Sequence, residues 1–180
     1  MKTYFTHIDS PIGRLMLTAN ERALTGLYFS TGNKAKKEPD PAWQLCEARF
    51  EQARKELNEY FDGVRRQFNV ALEPRATPFQ NKVLAALNQI PFGEVRSYKQ
   101  IAETIGSPKA VRAVGSANGN NPIAIFIPCH RVVGSNGALT GFGGGLDASS
   151  AVVEMRLVSN GGCGYGCDIA YAKPYRSEAE

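Results

Sequence analysis

A cysteine and a histidine, Cys129 and His130, stand directly after Pro128 at the end of the apolar run 123–127. A cysteine is nucleophilic as the thiolate, and with an ordinary pKa of ~8.5 only a few per cent is ionised at neutral pH. His130 is the nearest base and Arg131 the nearest cation. Neighbours on a strand point to opposite faces, so a turn or a bridging water must bring thiol and imidazole together. The pair indicates either a buried structural cysteine or an activated nucleophile.

A metal site has little support in this sequence. The chain has only two histidines and four cysteines. Cys163 and Cys167 could supply two zinc ligands, but no second pair accompanies them, and we interpret both as exposed or loosely ordered thiols. We therefore expect no metal and no cofactor.

The sequence also indicates the cellular compartment of the protein and the redox state of its cysteines. The first residues lack the apolar core of a signal peptide, and no apolar run approaches the ~18 residues that span a bilayer. We expect a cytoplasmic protein without membrane association, with its cysteines reduced. The 180 residues fit one large domain or two small ones. A net charge of +4 permits a polyanionic partner without identifying one.

The first half of the sequence predicts strands and one helix. Residues 3–8 and 14–19 flank a turn cluster and predict a β-hairpin, and residues 23–29 predict a third strand. The polar segment 30–41, with three lysines, is typical of a solvated loop. A helical stripe then ends at Asp62-Gly63 and is followed by a predicted last strand over 67–72. The stripe consists of Trp43, Cys46, Phe50, Leu57 and Phe61, and on it Cys46 is interpreted as a small buried hydrophobe.

The second half contains three helix-start signals. Thr77 to Gln80 and Ser97 to Gln100 are capping boxes, and Gly106 stands where a helix-ending glycine belongs. Ser107 is predicted to cap the next helix, over residues 109–117. The apolar face of the first of these helices is formed by Val83, Leu84, Leu87 and Ile90. Two short helices joined by a tight glycine turn indicate either an ordinary α-hairpin or a DNA-binding helix-turn-helix.

Small residues dominate the last of these helices. Lys109 and Arg112 project among Ala110, Ala113, Gly115, Ser116 and Ala117. Small side chains allow a helix backbone to approach a partner closely, either another helix or a nucleic-acid backbone. Residues 118–122 are predicted to form a turn that leads into an apolar strand and the cysteine. The glycine-rich stretch 140–145 lacks the Gly-Lys-Ser/Thr ending of a phosphate-binding loop.

Taken in order, these segments resemble the O6-alkylguanine-DNA alkyltransferases. The resemblance rests on SYKQIA, PKAVRAVG, GNNPIAIFI, PCHRVVG and TGFGGGL, from about residue 77 to residue 146. It implies an α+β fold: a small antiparallel N-terminal sheet with a helix (ribonuclease H-like), followed by a mostly helical, winged helix-turn-helix-like domain. The expected domains are 1–76 and 77–160, with an atypical tail at 161–180.

The resemblance also implies a function. It implies direct, single-turnover repair of double-stranded DNA by a monomer, in which the alkyl group of O6-alkylguanine moves to Cys129 after base flipping from the minor groove. O4-alkylthymine is a second candidate substrate. Tyr98 would give a proton to the guanine ring, His130 would act as base through water, and Asn121 would brace the turn.

Further residues are implied by the same resemblance. Arg112 would replace the flipped base in the stack. The other residues expected at the DNA are Lys109, Ser97, Ala113, Gly115 and Asn118. The residues expected at the base pocket are Val132, Phe142, Gly143 and Arg131, with the carbonyls of Cys129 and Val132 accepting from the guanine amino group and the Gly143 region donating to O6.

The sequence departs from the family after Leu146. The family has a lysine where Ser149 stands and a histidine-orienting glutamate where Arg156 stands. Glu154, two residues earlier, lies roughly 200° around a helix and does not replace it. Either a true variant or a reading-frame error near Asp147 accounts for the change. If the change is real, we expect slower transfer with partly retained damage binding.

Two other functions are open from the residues alone. One is a damage sensor that holds the flipped base without repairing it, favoured by Arg156 and opposed by Cys129. The other is a Cys-His hydrolase of small molecules, for which no oxyanion hole is marked. Stoichiometry distinguishes the three functions. An alkyltransferase reacts once per molecule, a sensor does not react, and a hydrolase turns over many times.

Overall fold

The computed structural model describes residues 2–30, 35–36 and 38–134. Along the chain, a sheet region comes first and a mostly helical region follows. The strands are β1 (Tyr4–Ile8), β2 (Leu15–Ala19), β3 (Leu24–Phe29), β4 (Gln44–Leu45), β5 (Arg96–Ser97) and β6 (Val132–Val133). The helices are α1 (Glu51–Phe61), α2 (Pro78–Asn88), α3 (Tyr98–Thr104) and α4 (Val111–Gly119). Short 3-10 turns cover Glu47–Phe50 and Cys129–Arg131.

The N-terminal sheet has the order β3-β2-β1-β4. β1, β2 and β3 pair antiparallel, which confirms the predicted hairpin and third strand. β4 was not predicted, and it pairs parallel to β1 through two residues. Because residues 44–45 belong to this strand, Trp43 and Cys46 both lie before α1, and Cys46 directly precedes the 3-10 turn. The predicted helical stripe therefore begins too early, and Cys46 is half-buried where full burial was expected.

The predicted strand at 67–72 is wrong. Leu72 forms a single bridge with Leu24, flanked by hydrogen bonds from Leu24 N to Ala71 O (2.9 Å) and from Glu73 N to Leu24 O (2.8 Å). Pro74 has no N–H with which to continue a ladder. The segment instead packs Phe68 onto the core, so it carries an aromatic side chain to the boundary with the helical region.

Local capping determines where α2 and α3 begin. The Thr77 and Ser97 side chains each accept from the residue three positions later, and the returning Gln80 and Gln100 side chains complete both predicted capping boxes. The predicted apolar face of α2 is fully buried. α3 ends at Thr104, and Gly106 (φ +70°) follows, with Ser107 N donating to Ala102 O and Gly106 N to Glu103 O. This pattern is the Schellman motif, for which glycine is favoured at positive φ.

The start of α4 differs from the prediction. Ser107 does not cap it: its carbonyl accepts from Ala110 N in a separate turn, and the helix begins at Val111. Lys109 consequently lies before the helix. At the other end, Asn118 and Gly119 are helical although a turn was predicted. α2, α3 and α4 pack on one another, with Val83, Leu87, Ile101 and Val114 among the buried residues.

Candidate active site

The apolar segment before the cysteine is a buried turn, and the predicted strand there is wrong. Ile127 N donates to Ile123 O (3.0 Å), and Ile125 lies between them at φ +75°. A β-branched residue at positive φ carries a backbone strain of about 1–3 kcal/mol, which the surrounding contacts must offset. All five side chains of residues 123–127 are buried, so hydrophobic packing supplies part of that compensation.

Asn121 holds this turn closed. Its Nδ2 donates to Ile127 O (2.8 Å) and its Oδ1 accepts from Ile123 N (3.0 Å). One side chain thus links both ends of the turn. Ile123 and Ile127 are almost completely buried, so no solvent replaces these bonds if they are lost.

Pro128 determines the direction in which the chain enters Cys129. With φ −80° and ψ 63° it forms an inverse γ-turn, closed by Cys129 N donating to Ile127 O (2.8 Å). Cys129, His130 and Arg131 follow as a 3-10 turn, and all three are buried. The neighbours Cys129 and His130 therefore lie on a turn, and the opposite-face geometry of a strand does not apply.

Cys129 lines a cavity of about 310 Å³. The cavity lies between β3 and the C-terminal end of α4, and its lining includes Leu27, Tyr28, Asn118, Asn121, Ala124 and Cys129. That volume is at the small end of the ~300–1,000 Å³ range of ligand pockets. Asn118 is 3% exposed, and its buried Oδ1 has no hydrogen-bond partner among the residues that the structure describes. The cavity thus combines a thiol with a buried polar acceptor.

The environment holds Cys129 in the neutral form. Burial raises the pKa of the Cys129 thiol, and hydrogen bonds from Asn121 and from nearby backbone amides lower it by less. The resting protein therefore has a protonated thiol surrounded by donors that suit a thiolate once one forms. Nucleophilic attack requires a base that removes the proton when the substrate is in place.

This environment predicts the reactivity of Cys129 in the DNA-free protein. Because the pKa of the thiol is raised, its alkylation by iodoacetamide should be slower than that of free cysteine at pH 7. The rate should increase about tenfold per pH unit and still be rising at about pH 9. Peptide mapping measures Cys129 separately, with half-buried Cys46 as the internal comparison. A rate for Cys129 that levels off below pH 8 would contradict the raised pKa.

His130 is 2% exposed, and its Nε2 lies 3.3 Å from the hydroxyl of Tyr60 in α1. Sequence reasoning missed Tyr60, which is 70 positions away.

Arg131 donates from Nη1 to Ile90 O (2.6 Å). It lines a second cavity, of about 600 Å³, together with Phe92 and Phe126. Arg131 therefore does not line the cavity that contains Cys129.

The other predicted residues lie at varying distances from the thiol. Val132 is buried in β6 beside Arg96, and Tyr98 packs its ring against Gly115, where an added Cβ would meet it at 3.9 Å. Neither is among the residues that line the Cys129 cavity. Phe142, Gly143, Ser149, Glu154 and Arg156 lie outside the described residues.

The outer face of α4 is exposed, and most of its side chains are small. Arg112, Ala113 and Ser116 are exposed, and Lys109 is exposed just before the helix. Arg112 and Lys109 form no ion pair with any residue of the described ranges. Ser97 is half-buried at the start of α3. Two cations and a surface of small side chains therefore stand beside the cavity, whose wall includes Asn118 and Gly119 of the same helix.

Among the described helices, none is both long and apolar enough to cross a membrane. Within the same residues, no group of three or more histidine, cysteine or acidic side chains is arranged to hold a metal ion.

Comparison with known proteins identifies similar chains over most of the length. The family model for the 6-O-methylguanine DNA methyltransferase ribonuclease-like domain matches residues 3–74, and the one for the DNA-binding domain matches residues 78–155. A methylated-DNA–protein-cysteine methyltransferase of Methanosarcina acetivorans is 46% identical over 160 residues, which cover 89% of this chain and 99% of that protein. The protein of the same name from Mycobacterium tuberculosis is 46% identical over 153 residues, covering 84% and 91%.

Solved structures agree with these similarities. The crystal structure of Mycobacterium tuberculosis OGT in complex with DNA superposes with a TM-score of 0.78 at 46% identity. It covers 85% of this chain and 92% of that one. The two-part fold predicted from the sequence is thereby confirmed.

Proposed function

The chain belongs to the 6-O-methylguanine DNA methyltransferase family, and we propose that it repairs alkylated DNA by moving the O6-alkyl group of guanine onto its own Cys129. The observation that carries the assignment of Cys129 is its position in the cavity at the end of α4, directly beside the exposed small-residue face. Helix α4 thus carries the exposed face proposed to contact DNA, and its C-terminal end forms part of the wall of the cavity proposed to hold the base. The protein binds double-stranded DNA, which agrees with the DNA complex of its Mycobacterium tuberculosis relative.

The transfer is a displacement at the alkyl carbon. The Cys129 Sγ attacks that carbon as the carbon–O6 bond breaks, and a thioether forms. His130 takes the thiol proton through a water molecule, and Tyr98 gives a proton to the guanine ring so that the base leaves neutral. Overall one alkyl group moves to sulfur and one proton moves to guanine, while the proton taken by His130 passes to solvent and Tyr98 regains one from solvent. The thioether has no route back to the thiol, so each protein molecule reacts once.

The base must leave the DNA stack to reach Cys129. In our proposal α4 lies in the minor groove, Arg112 fills the space of the flipped base, and Lys109 and Ser97 contact the backbone. Ala113 and Gly115 keep the helix surface low. Asn118 lies in the wall of the cavity, where its buried Oδ1 suits an N–H of the base. A bound base would satisfy an acceptor that costs about 1–3 kcal/mol when left unpaired.

If α4 lies close to the DNA, a larger side chain on its exposed face should weaken DNA binding. Ala113→Leu should weaken binding of duplex DNA by about tenfold, because the longer side chain holds the helix away from the groove. Leucine is nearly as good a helix former as alanine, so the Tm should change by less than roughly 2 °C. Fluorescence anisotropy with a lesion-containing duplex measures the affinity.

The matched control is Ala85→Leu. Ala85 is an exposed alanine on α2, outside the α3–α4 pair. This control should leave DNA affinity unchanged. Equal affinities of the Ala113→Leu variant and the unmodified protein would show that α4 does not approach DNA closely.

The damage-sensor alternative is not favoured. The similar proteins at 43–46% identity from Methanosarcina, Mycobacterium and Bacillus are all named methyltransferases, and Cys129 is present and buried in a cavity. We further propose that the protein acts as a monomer in the cytoplasm, where a reducing environment keeps Cys129 available. The altered residue at Arg156 is expected to slow the transfer.

Counting turnover tests the proposal. A fixed amount of protein is mixed with increasing excess of a duplex that contains O6-methylguanine, and repaired guanine is measured by chromatography. We expect repair to stop at about one lesion per protein molecule. Repair that continues well beyond one equivalent would indicate a hydrolase, and binding without repair would indicate a sensor.

A further inference from the structure

A tyrosine from the N-terminal half reaches the histidine beside the thiol. The Tyr60 hydroxyl lies 3.3 Å from His130 Nε2, and both side chains are buried, at 4% and 2% exposure. Bulk solvent does not compete for a contact between side chains that are buried to this extent. A hydrogen bond between the two is therefore retained for as long as the two halves of the chain stay packed.

The ring of Tyr60 is held by other aromatic side chains. Its centroid lies 5.0 Å from Phe68 and 6.2 Å from Phe92, with the Phe92 ring nearly perpendicular. These edge and tilted contacts suit aromatic pairs and oppose rotation of the tyrosine. The direction of the hydroxyl is thereby fixed toward His130.

Arg131 favours the acceptor role for the Tyr60 oxygen, because its guanidinium lies 5.7 Å from the centroid of Phe92, a ring that also packs against Tyr60. Burial lowers the pKa of the Arg131 guanidinium, whereas electrostatic and hydrogen-bonding interaction with Tyr60 raises it. A guanidinium has donors only, so it interacts favourably with the phenolic oxygen and its lone pairs. The same oxygen can accept a second hydrogen bond from an imidazole N–H.

We propose that Tyr60 is a positioning residue, which accepts a hydrogen bond from His130 Nε2–H and so holds the histidine in the tautomer with an unprotonated Nδ1. The step rests on the proposed function, because only a base role for His130 gives that tautomer a use. When Nδ1 takes the thiol proton, the Nε2–H bond to Tyr60 becomes charge-assisted and stronger. Tyr60 then has the place that a carboxylate has in a catalytic triad, without the negative charge.

The test combines a spectrum with a rate. The chain has two histidines, so ¹⁵N-labelled protein gives two imidazole patterns, and His7 in β1 serves as the internal reference. In the unmodified protein at neutral pH, His130 should show the Nε2–H tautomer. In Tyr60→Phe the aromatic contacts remain, but the tautomer preference of His130 should be lost while His7 is unchanged. Methyl transfer should slow by about tenfold, a fraction of the 10²–10⁴-fold typical of acid–base catalysis.

The control variant is Tyr4→Phe, which removes a tyrosine hydroxyl from β1 on the same sheet as His7. It should change neither the His130 pattern nor the transfer rate. An Nδ1–H tautomer in the unmodified protein, or a Tyr60→Phe variant with an unchanged His130 pattern or rate, would overturn the positioning role. If the unmodified protein transfers no methyl group, the proposed function fails, and the spectrum still shows whether Tyr60 sets the tautomer.

Discussion

Cys129→Ser should abolish methyl transfer while leaving the binding of lesion-containing DNA intact. The serine hydroxyl ionises far less readily than a thiol, so the transfer rate should fall by at least about 10³-fold. Cys129 lies in the wall of the cavity and not on the exposed face of α4, so the surface proposed to contact DNA is unchanged. Single-turnover kinetics and anisotropy measure the two properties separately.

The matched control is Cys46→Ser. Cys46 is the other free cysteine among the described residues, and it is half-buried in the N-terminal sheet region, between β4 and the 3-10 turn. It should transfer methyl groups at the rate of the unmodified protein. Appreciable transfer by the Cys129→Ser variant would place the acceptor elsewhere.

Asn121→Ala should have the second largest effect, on both stability and rate. The substitution removes the bonds to Ile127 O and Ile123 N. The buried Ile123 N–H then loses its acceptor, whereas Ile127 O keeps the bond from Cys129 N. The expected loss is about 2–4 kcal/mol of unfolding free energy, or roughly 5–15 °C in Tm. It also removes a donor that lowers the pKa of Cys129 and releases the turn strained at Ile125.

A displaced turn moves the nucleophile. Since a 1 Å misplacement can cost about 10²-fold in rate, the transfer should slow by that order in the fraction of molecules that remain folded. Asn58→Ala is the control, because Asn58 is an exposed asparagine on α1 and is not among the residues that line the Cys129 cavity. It should lower the Tm by less than roughly 2 °C and leave transfer unchanged. Equal effects at the two positions would show that Asn121 does not brace the site.

Local signals predicted much of the helical half. The Thr77 and Ser97 capping boxes and Gly106 depend on residues within four positions of one another, so the sequence contains the whole interaction. The start of α4 was misjudged because Ser107 presents a cap signal that the chain uses in a separate turn. Its backbone is engaged by the Schellman motif that ends α3.

The site was only partly predictable, for a different reason. An apolar run such as 123–127 is compatible with a buried strand or a buried turn, and the choice depends on two bonds from Asn121. The sequence identified Cys129, Asn121 and Asn118, which the structure places on one cavity. It could not identify Tyr60, because that contact with His130 exists only after the two halves of the chain pack together.

The most direct test is the intact mass of the protein after mixing with a duplex that contains one O6-methylguanine. We predict a gain of one methyl group, about 14 Da, which peptide mapping places on Cys129. A mass that stays unchanged while the lesion DNA is bound, or a methyl group found on another residue, would contradict transfer to Cys129.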